Sequence, residues 1–330
     1  MFKLTKLVNV AALFNHKSAS PDSTINNNPS SSSSGLLNLL RYNGDGSPKD
    51  RIITAGYILS VAILLTLASL YIPKGRLIAV AATLLIVAGA CFEVVRLFAR
   101  SHESLAYRPV FGVIAYLVLF APVAVAGVSA VSGVFEGGVW WRAIYGSTIL
   151  SGEILVLLTV LEGRSSLDLA SRFVARFGVA FLIISVCAPA LVVISGVEKG
   201  MGIIWWIVGC TALNDTAAYF AGRAFGRHKL ASAISPNKTV EGSVAGVLVG
   251  TLAGVWLWRW LIGNGDGLVS VVGLSLAVVV AAQAGDLAKS YLKRIRGVKD
   301  MGAIFPGHGG VLDRFDALIA AAPIALLWLL

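Results

Sequence analysis

The sequence predicts an all-α protein, a polytopic transmembrane helical bundle of about nine spans with its N-terminus in the cytoplasm. Three observations predict it. The 330 residues are 57% hydrophobic and only 13% charged, with a mean hydropathy of +0.81, whereas a soluble domain carries about 25% charged residues. Apolar runs of about 20 residues recur, long enough as helices to cross a bilayer, while a transmembrane barrel would alternate polar and apolar positions. Finally, Lys and Arg are unequally shared between alternating loops. With the N-terminus inside, only Lys74, Arg76, Arg142, Lys199 and Arg259 of the 27 fall outside, the asymmetry that orients membrane helices.

Residues 1–50 are a separate segment. MFKLTKLVNVAALFNH is weakly amphipathic, and an interfacial helix and a disordered tail are equal expectations. A cleaved signal fits less well, because the apolar stretch is interrupted and no small-residue cleavage site follows. The next stretch, SASPDSTINNNPSSSSSG, is a low-complexity linker that cannot bury enough surface to fold.

Residues 51–330 form the transmembrane domain. Nine hydrophobic segments are expected at about 52–72, 77–99, 109–132, 140–161, 173–195, 201–222, 243–263, 268–292 and 312–330. Glu93 in the second and Glu153 in the fourth lie at membrane depth, where an acid must pair, face a cavity or carry a proton. Arg96, three residues on, is a helix-face partner for Glu93. Gly246, Gly250 and Gly254 recur every four residues and read as a close-packing stripe. Trp140, Trp141, Trp205, Trp206, Trp256, Trp258 and Trp260 read as an interfacial belt. Cys91, Cys187 and Cys210 lie inside apolar runs without CxxC spacing and read as free thiols. The net charge of +10 sits in short loops, which suits topology and anionic lipid or phosphate contact and excludes a nucleic-acid face.

Two polar insertions carry chemistry. In the first, residues 211–246, Asn214, Asp215 and Thr216 interrupt the sixth span and need partners or a cavity. Gly222, Arg223, Gly226 and Arg227 read as a basic, flexible turn. The SPNKT run from Ser235 places Lys238 and Thr239 at a helix entry, with Glu241 just inside; such an N-terminus with a Lys and a hydroxyl suits a phosphate. The P-loop pattern is absent. In the second insertion, residues 283–316, Asp286, Ser290 and Lys293 share a helix face at i, i+4, i+7. Asp313 and Asp316 share another, and PGHGG at 306–310 can approach a ligand closely. Carboxylates from two helices can hold Mg²⁺, and nearby Lys and Arg can hold phosphate oxygens. That combination suits phosphoryl or nucleotidyl transfer.

SYLKR at 290–294, KD at 299–300 and PGHGGVLDRFD at 306–316 resemble the signature of the phosphatidate cytidylyltransferases (CDP-diacylglycerol synthases). NDTAAY, GRAFGR and ISPNKTVEG within 214–242 resemble the other motif of that family. The resemblance covers about residues 52–330 and leaves the first 50 outside. It implies Mg²⁺-dependent transfer of CMP from CTP to phosphatidate at the cytoplasmic face, giving CDP-diacylglycerol and pyrophosphate for phospholipid biosynthesis. By the same resemblance Asp286 and Asp313 are metal ligands supported by Asp316, with room for a second metal ion, and Lys293 and Lys238 complete the catalytic set. Asn214, Asp215, Arg223, Ser235, Lys238, Thr239, Ser290, Arg294, Lys299, His308 and Arg314 are the implied substrate contacts.

The implied partners are CTP, phosphatidate and the bilayer, without nucleic acid, and a second copy of the chain is a candidate. The implied location is a bacterial inner (plasma) membrane. One departure stands out: bacterial members usually carry an acid just before the signature serine, and this chain has Lys289. It is either an extra phosphate contact or a weakening of metal binding. Two alternatives remain open, a cytidylyltransferase for another lipid phosphate such as an isoprenoid ether analogue, and a cation-coupled transporter using Asp215 and Glu153, for which inverted repeats would speak and none is visible.

Overall fold

The computed structural model describes residues 48–329 apart from positions 73, 100–108, 133–138, 164–165, 299, 303 and 306–308. The expected tail up to residue 47, Lys299 and His308 therefore lie outside the described residues.

Each expected hydrophobic segment is helical. In chain order the helices are α1 (Pro48–Tyr71), α2 (Gly75–Ala99), α3 (Pro109–Ser132), α4 (Val139–Gly163), α5 (Leu167–Phe181), α6 (Ala188–Gly196), α7 (Gly200–Phe225), α8 (Val240–Leu261), α9 (Leu268–Arg296) and α10 (Leu312–Leu329). Among the described residues seven stretches are long and apolar enough to cross a membrane: within α1 to α4, the continuous run Leu167–Gly196, α8 and α9. The helices α7 and α10 carry Asp215 and the pair Asp313 and Asp316. Large apolar side chains such as Leu64, Leu85, Leu117, Leu252 and Val269 point outward, an exterior that suits hydrocarbon rather than water.

The run Leu167–Gly196 is one rod with a π-helical segment at Leu182–Cys187 joining α5 to α6. Pro189 explains the widening. It has no N–H to return to Ser185, four residues back, and the Thr148 hydroxyl approaches that carbonyl at 3.5 Å. The Ser185 hydroxyl in turn donates to Leu119 O at 2.8 Å. Residues Ala188–Ser195 are all buried, and α6 packs against α2, α3, α7 and α10, so it is the centre of the bundle.

The α7–α8 pair is held by the glycine stripe, as the spacing predicted. A Cβ at Gly246 would lie 2.7 Å from Asn214 Oδ1, and one at Gly254 would lie 2.7 Å from Ser275 Oγ and 2.9 Å from Cys210 Sγ. These separations are closer than side chains tolerate, so only glycine lets the backbones approach.

Three local expectations change. The SPNKT run is not only a loop: β1 (Lys229–Ala231) and β2 (Ser235–Thr239) form an antiparallel hairpin, with Lys229 opposite Thr239 and Ala231 opposite Ser235. Gly222 and Gly226 are not a flexible turn. Gly222 lies within α7, and a Cβ there would stand 2.8 Å from Thr239 Oγ1. Trp206 and Trp258 are not belt residues. Both are buried, with ring centroids 4.9 Å apart. Their indole N–H groups are satisfied by Gly254 O at 2.8 Å and Asp266 Oδ2 at 2.9 Å, which makes core burial affordable for Trp. Trp141, Trp256 and Trp260 remain exposed.

Candidate active site

A cavity of about 400 Å³ opens between α7, the hairpin, α8 and α9. Of the expected site residues, Asn214, Asp215, Arg223, Lys238, Thr239 and Asp286 line it. Asn214 is buried and its amide donates to Asp215 Oδ1 at 2.9 Å. Thr239 caps α8, its hydroxyl accepting the Gly242 N–H at 3.2 Å. That places the positive end of the α8 dipole beside Lys238, an arrangement that favours a phosphate.

Sequence reasoning missed Gln283. It lies one helical turn before Asp286, on the cavity wall. Its amide donates to Asn214 Oδ1 at 2.7 Å and to Ser243 O at 3.1 Å, and its carbonyl accepts the Ser243 hydroxyl at 2.5 Å. The network joins α7, α8 and α9. The available signal was a glutamine in an apolar run, the kind of polar residue that a membrane helix keeps for interhelical bonding.

An alternating chain of charge runs from the cavity wall into the bundle. Lys238 Nζ is 2.5 Å from Asp286 Oδ2, and Lys289 Nζ is 2.9 Å from Asp286 Oδ1 and 2.8 Å from Asp316 Oδ2. Lys293 Nζ is 3.0 Å from Asp313 Oδ1. Lys289, Asp313 and Asp316 are buried. Such pairs pay desolvation and are weak contributors to stability, so their presence favours a role in chemistry.

Asp313 serves the loop before α10. Its Oδ2 accepts the N–H groups of Met301 at 2.8 Å and Gly310 at 3.0 Å. Gly309, at φ 81°, and the bond from Phe305 N to Gly309 O at 2.9 Å shape that loop. Glu93 holds it from the far side: the carboxylate accepts Val311 N at 2.8 Å and Leu312 N at 3.1 Å, which satisfies free N–H groups at the start of α10. Arg294 Nε donates to Ile234 O at 2.9 Å and ties α9 to the hairpin turn. Ser235 and Ser290 are half-buried and Arg314 is exposed; none of the three lines the cavity. Glu153 is exposed on α4, outside the cavity that holds Asp215.

Among the described residues no group of three or more His, Cys, Asp or Glu gathers as a metal cage. Asp286, Asp313 and Asp316 are not brought together as three free carboxylates, because Lys238, Lys289 and Lys293 stand among them. Asp215 and Asp286, however, both face the cavity. Mg²⁺ is commonly held by one or two carboxylates plus substrate phosphates, and this pair fits an ion that arrives with a triphosphate.

A model of the cytidylyltransferase family matches residues 49–330. The chain belongs to the cytidylyltransferase family. It is 38% identical over 182 residues to the phosphatidate cytidylyltransferase of Brucella suis biovar 1 (strain 1330), covering 55% of this chain and 63% of that protein. It is 31% identical over 194 residues to the phosphatidate cytidylyltransferase of Staphylococcus aureus (strain COL), covering 57% of this chain and 71% of that one. The match thus spans somewhat under two thirds of the Brucella relative's length. In this cytidylyltransferase family member the lysine–carboxylate chain and the cavity lie side by side at one end of α9.

Proposed function

We propose that this chain transfers CMP from CTP to phosphatidate, giving CDP-diacylglycerol and pyrophosphate, at the cytoplasmic face of a bacterial inner membrane that it crosses nine times. The observation that carries the reading is the Lys238–Asp286 pair on the wall of a cavity that also holds Asp215, Arg223 and Gln283, in a bundle whose exterior is apolar. A water-soluble nucleotide and a bilayer-borne acceptor can meet only where such a cavity adjoins hydrocarbon.

The reaction forms a bond from a phosphatidate phosphate oxygen to the α-phosphorus of CTP. It breaks the bond from that phosphorus to the bridging oxygen, and pyrophosphate leaves with the electron pair. The attacking phosphate is already anionic near neutral pH, so the step needs no general base. Lys238, Arg223 and the N-terminus of α8 hold phosphate oxygens. The Gln283 network fixes the wall that faces the nucleotide and keeps Asp215 directed through Asn214. Asp286 and Asp215 would hold Mg²⁺, which when bound neutralises developing charge on the triphosphate. Asp313, Lys293 and Glu93 position the loop ahead of α10.

The test is direct. Purified full-length protein is given labelled CTP and phosphatidate, with and without Mg²⁺. Labelled CDP-diacylglycerol formed only with Mg²⁺ supports the proposal, and no transfer of CMP to phosphatidate in either condition overturns it.

A further inference from the structure

The geometry points to Lys289 as a built-in cation: we propose that its ammonium occupies the position between Asp286 and Asp316 that a divalent ion would otherwise take, so that the chain binds one divalent ion with its nucleotide and not two. The inference rests on the nucleotidyl-transfer reading of this site and concerns how its positive charge is supplied.

The Lys289 ammonium is surrounded by oxygen. Asp286 Oδ1 lies at 2.9 Å, Asp316 Oδ2 at 2.8 Å and the Asp313 carbonyl at 3.4 Å. These oxygens come from two helices and converge on one buried point, the side chain being only 10% exposed. Carboxylates plus a backbone carbonyl are the donors that hard cations take. Asp316 is buried, and the ammonium 2.8 Å from its Oδ2 is its ionic partner. An ordinary surface pair within one helix would be exposed and would join two residues only. This one bridges two carboxylates on different helices.

Electroneutrality makes the consequence sharp. Without the ammonium, Asp286 keeps Lys238, but Asp316 faces it with no other ion pair among the described residues. Buried Asp316, left without that ammonium beside half-buried Asp286, must take up a cation, take up a proton or move away. A divalent ion fills that need, and a neutral residue at 289 opens the space for it.

The experiment counts ions. Mn²⁺ bound per chain is measured by electron paramagnetic resonance on the full-length protein in detergent, with a non-hydrolysable CTP analogue present and its own Mn²⁺ binding subtracted. Wild type and Lys289→Arg should bind one, and Lys289→Gln should bind two. In the absence of nucleotide, Mn²⁺ should raise the melting temperature of Lys289→Gln by several degrees more than that of wild type. Two ions on the wild-type chain overturn the proposal, as does a monodisperse Lys289→Gln protein that binds no more than wild type. If Lys289→Gln folds only when purified with Mn²⁺, the proposal is supported; if Mn²⁺ does not recover it, the site is a salt bridge alone. Failure of the proposed reaction reads differently, as absence of CMP transfer by wild type whatever the ion count.

Discussion

Glu93 on α2 and Val311 at the entrance to α10 are joined across more than two hundred residues by a 2.8 Å bond from the Val311 N–H to the Glu93 carboxylate. The second carboxylate oxygen takes Leu312 N at 3.1 Å, and Gly302 and Gly310 lie so close to the carboxylate that a side chain at either would collide with it. An acid at membrane depth is thus spent on orienting the loop that also supplies the N–H groups held by Asp313.

Replacing Glu93 by Ala should leave two N–H groups at a buried helix start without partners. Each orphaned group costs about 1–3 kcal/mol, so the melting temperature should fall by several degrees and turnover should fall with it. Glu93→Gln keeps one acceptor oxygen and should recover part of both. Thermal unfolding and turnover measured on the same detergent preparations check this. A Glu93→Ala protein as stable as wild type would show that the capping bonds carry no weight.

Asp286→Asn keeps the shape of the side chain and removes the charge that Lys238 and Lys289 share. Loss of a preorganised charged group at a transfer centre typically costs about 10²–10³ in kcat. Asp313→Asn should also reduce turnover, through the loop N–H groups of Met301 and Gly310. Labelled-CTP turnover after membrane insertion has been verified decides, and full activity in both variants would remove these carboxylates from the site.

Gly246→Ala should act on the cavity wall through Asn214. The added Cβ would meet Asn214 Oδ1 at 2.7 Å and Asn214 O at 2.8 Å, and overpacking of this kind costs about 1–3 kcal/mol. The expected result is a raised KM for CTP together with a lowered melting temperature. Gly273→Ala is the control, since nothing lies within 4 Å of a Cβ there and neither quantity should change.

Gln283→Leu should break the three-helix network, leaving Asn214 Oδ1 and the Ser243 hydroxyl without this partner. A cost of about 1–3 kcal/mol is expected from unsatisfied polar groups. Initial rates at varied CTP should show KM rising more than that for phosphatidate, because Gln283 and Asn214 line the cavity beside Lys238. Equal changes for both substrates would place the nucleotide elsewhere.

The helical segments were legible because a run of about 20 apolar residues is a local property that tertiary contacts rarely overturn. The glycine stripe was legible for the same reason, its four-residue spacing marking one helix face. The hairpin was not, since Ser235, Pro236, Asn237 and Lys238 have poor strand propensity and only pairing with Lys229–Ala231 makes them a strand. The burial of Trp206 and Trp258 was hidden too. Whether an indole faces the interface or the core depends on an acceptor for its N–H, and those acceptors lie 48 and 8 residues away.

The candidate site divides along the same line. Residue identity and spacing were enough to single out both polar insertions, because charge in a hydrocarbon context is costly wherever it falls. They could not say which carboxylate meets which lysine. The i, i+4, i+7 face through Ser290 pointed to Lys293, yet the residue that joins Asp286 to Asp316 is Lys289, and Lys293 goes to Asp313. Run length and composition dictated a membrane bundle with charge concentrated in two places. Only packing decided that Glu93 reaches α10, that Gln283 ties three helices and that Lys289 stands between two aspartates. Coulomb and hydrogen-bond energies depend on distances of a few ångströms, and those distances exist only once helices remote in sequence are side by side.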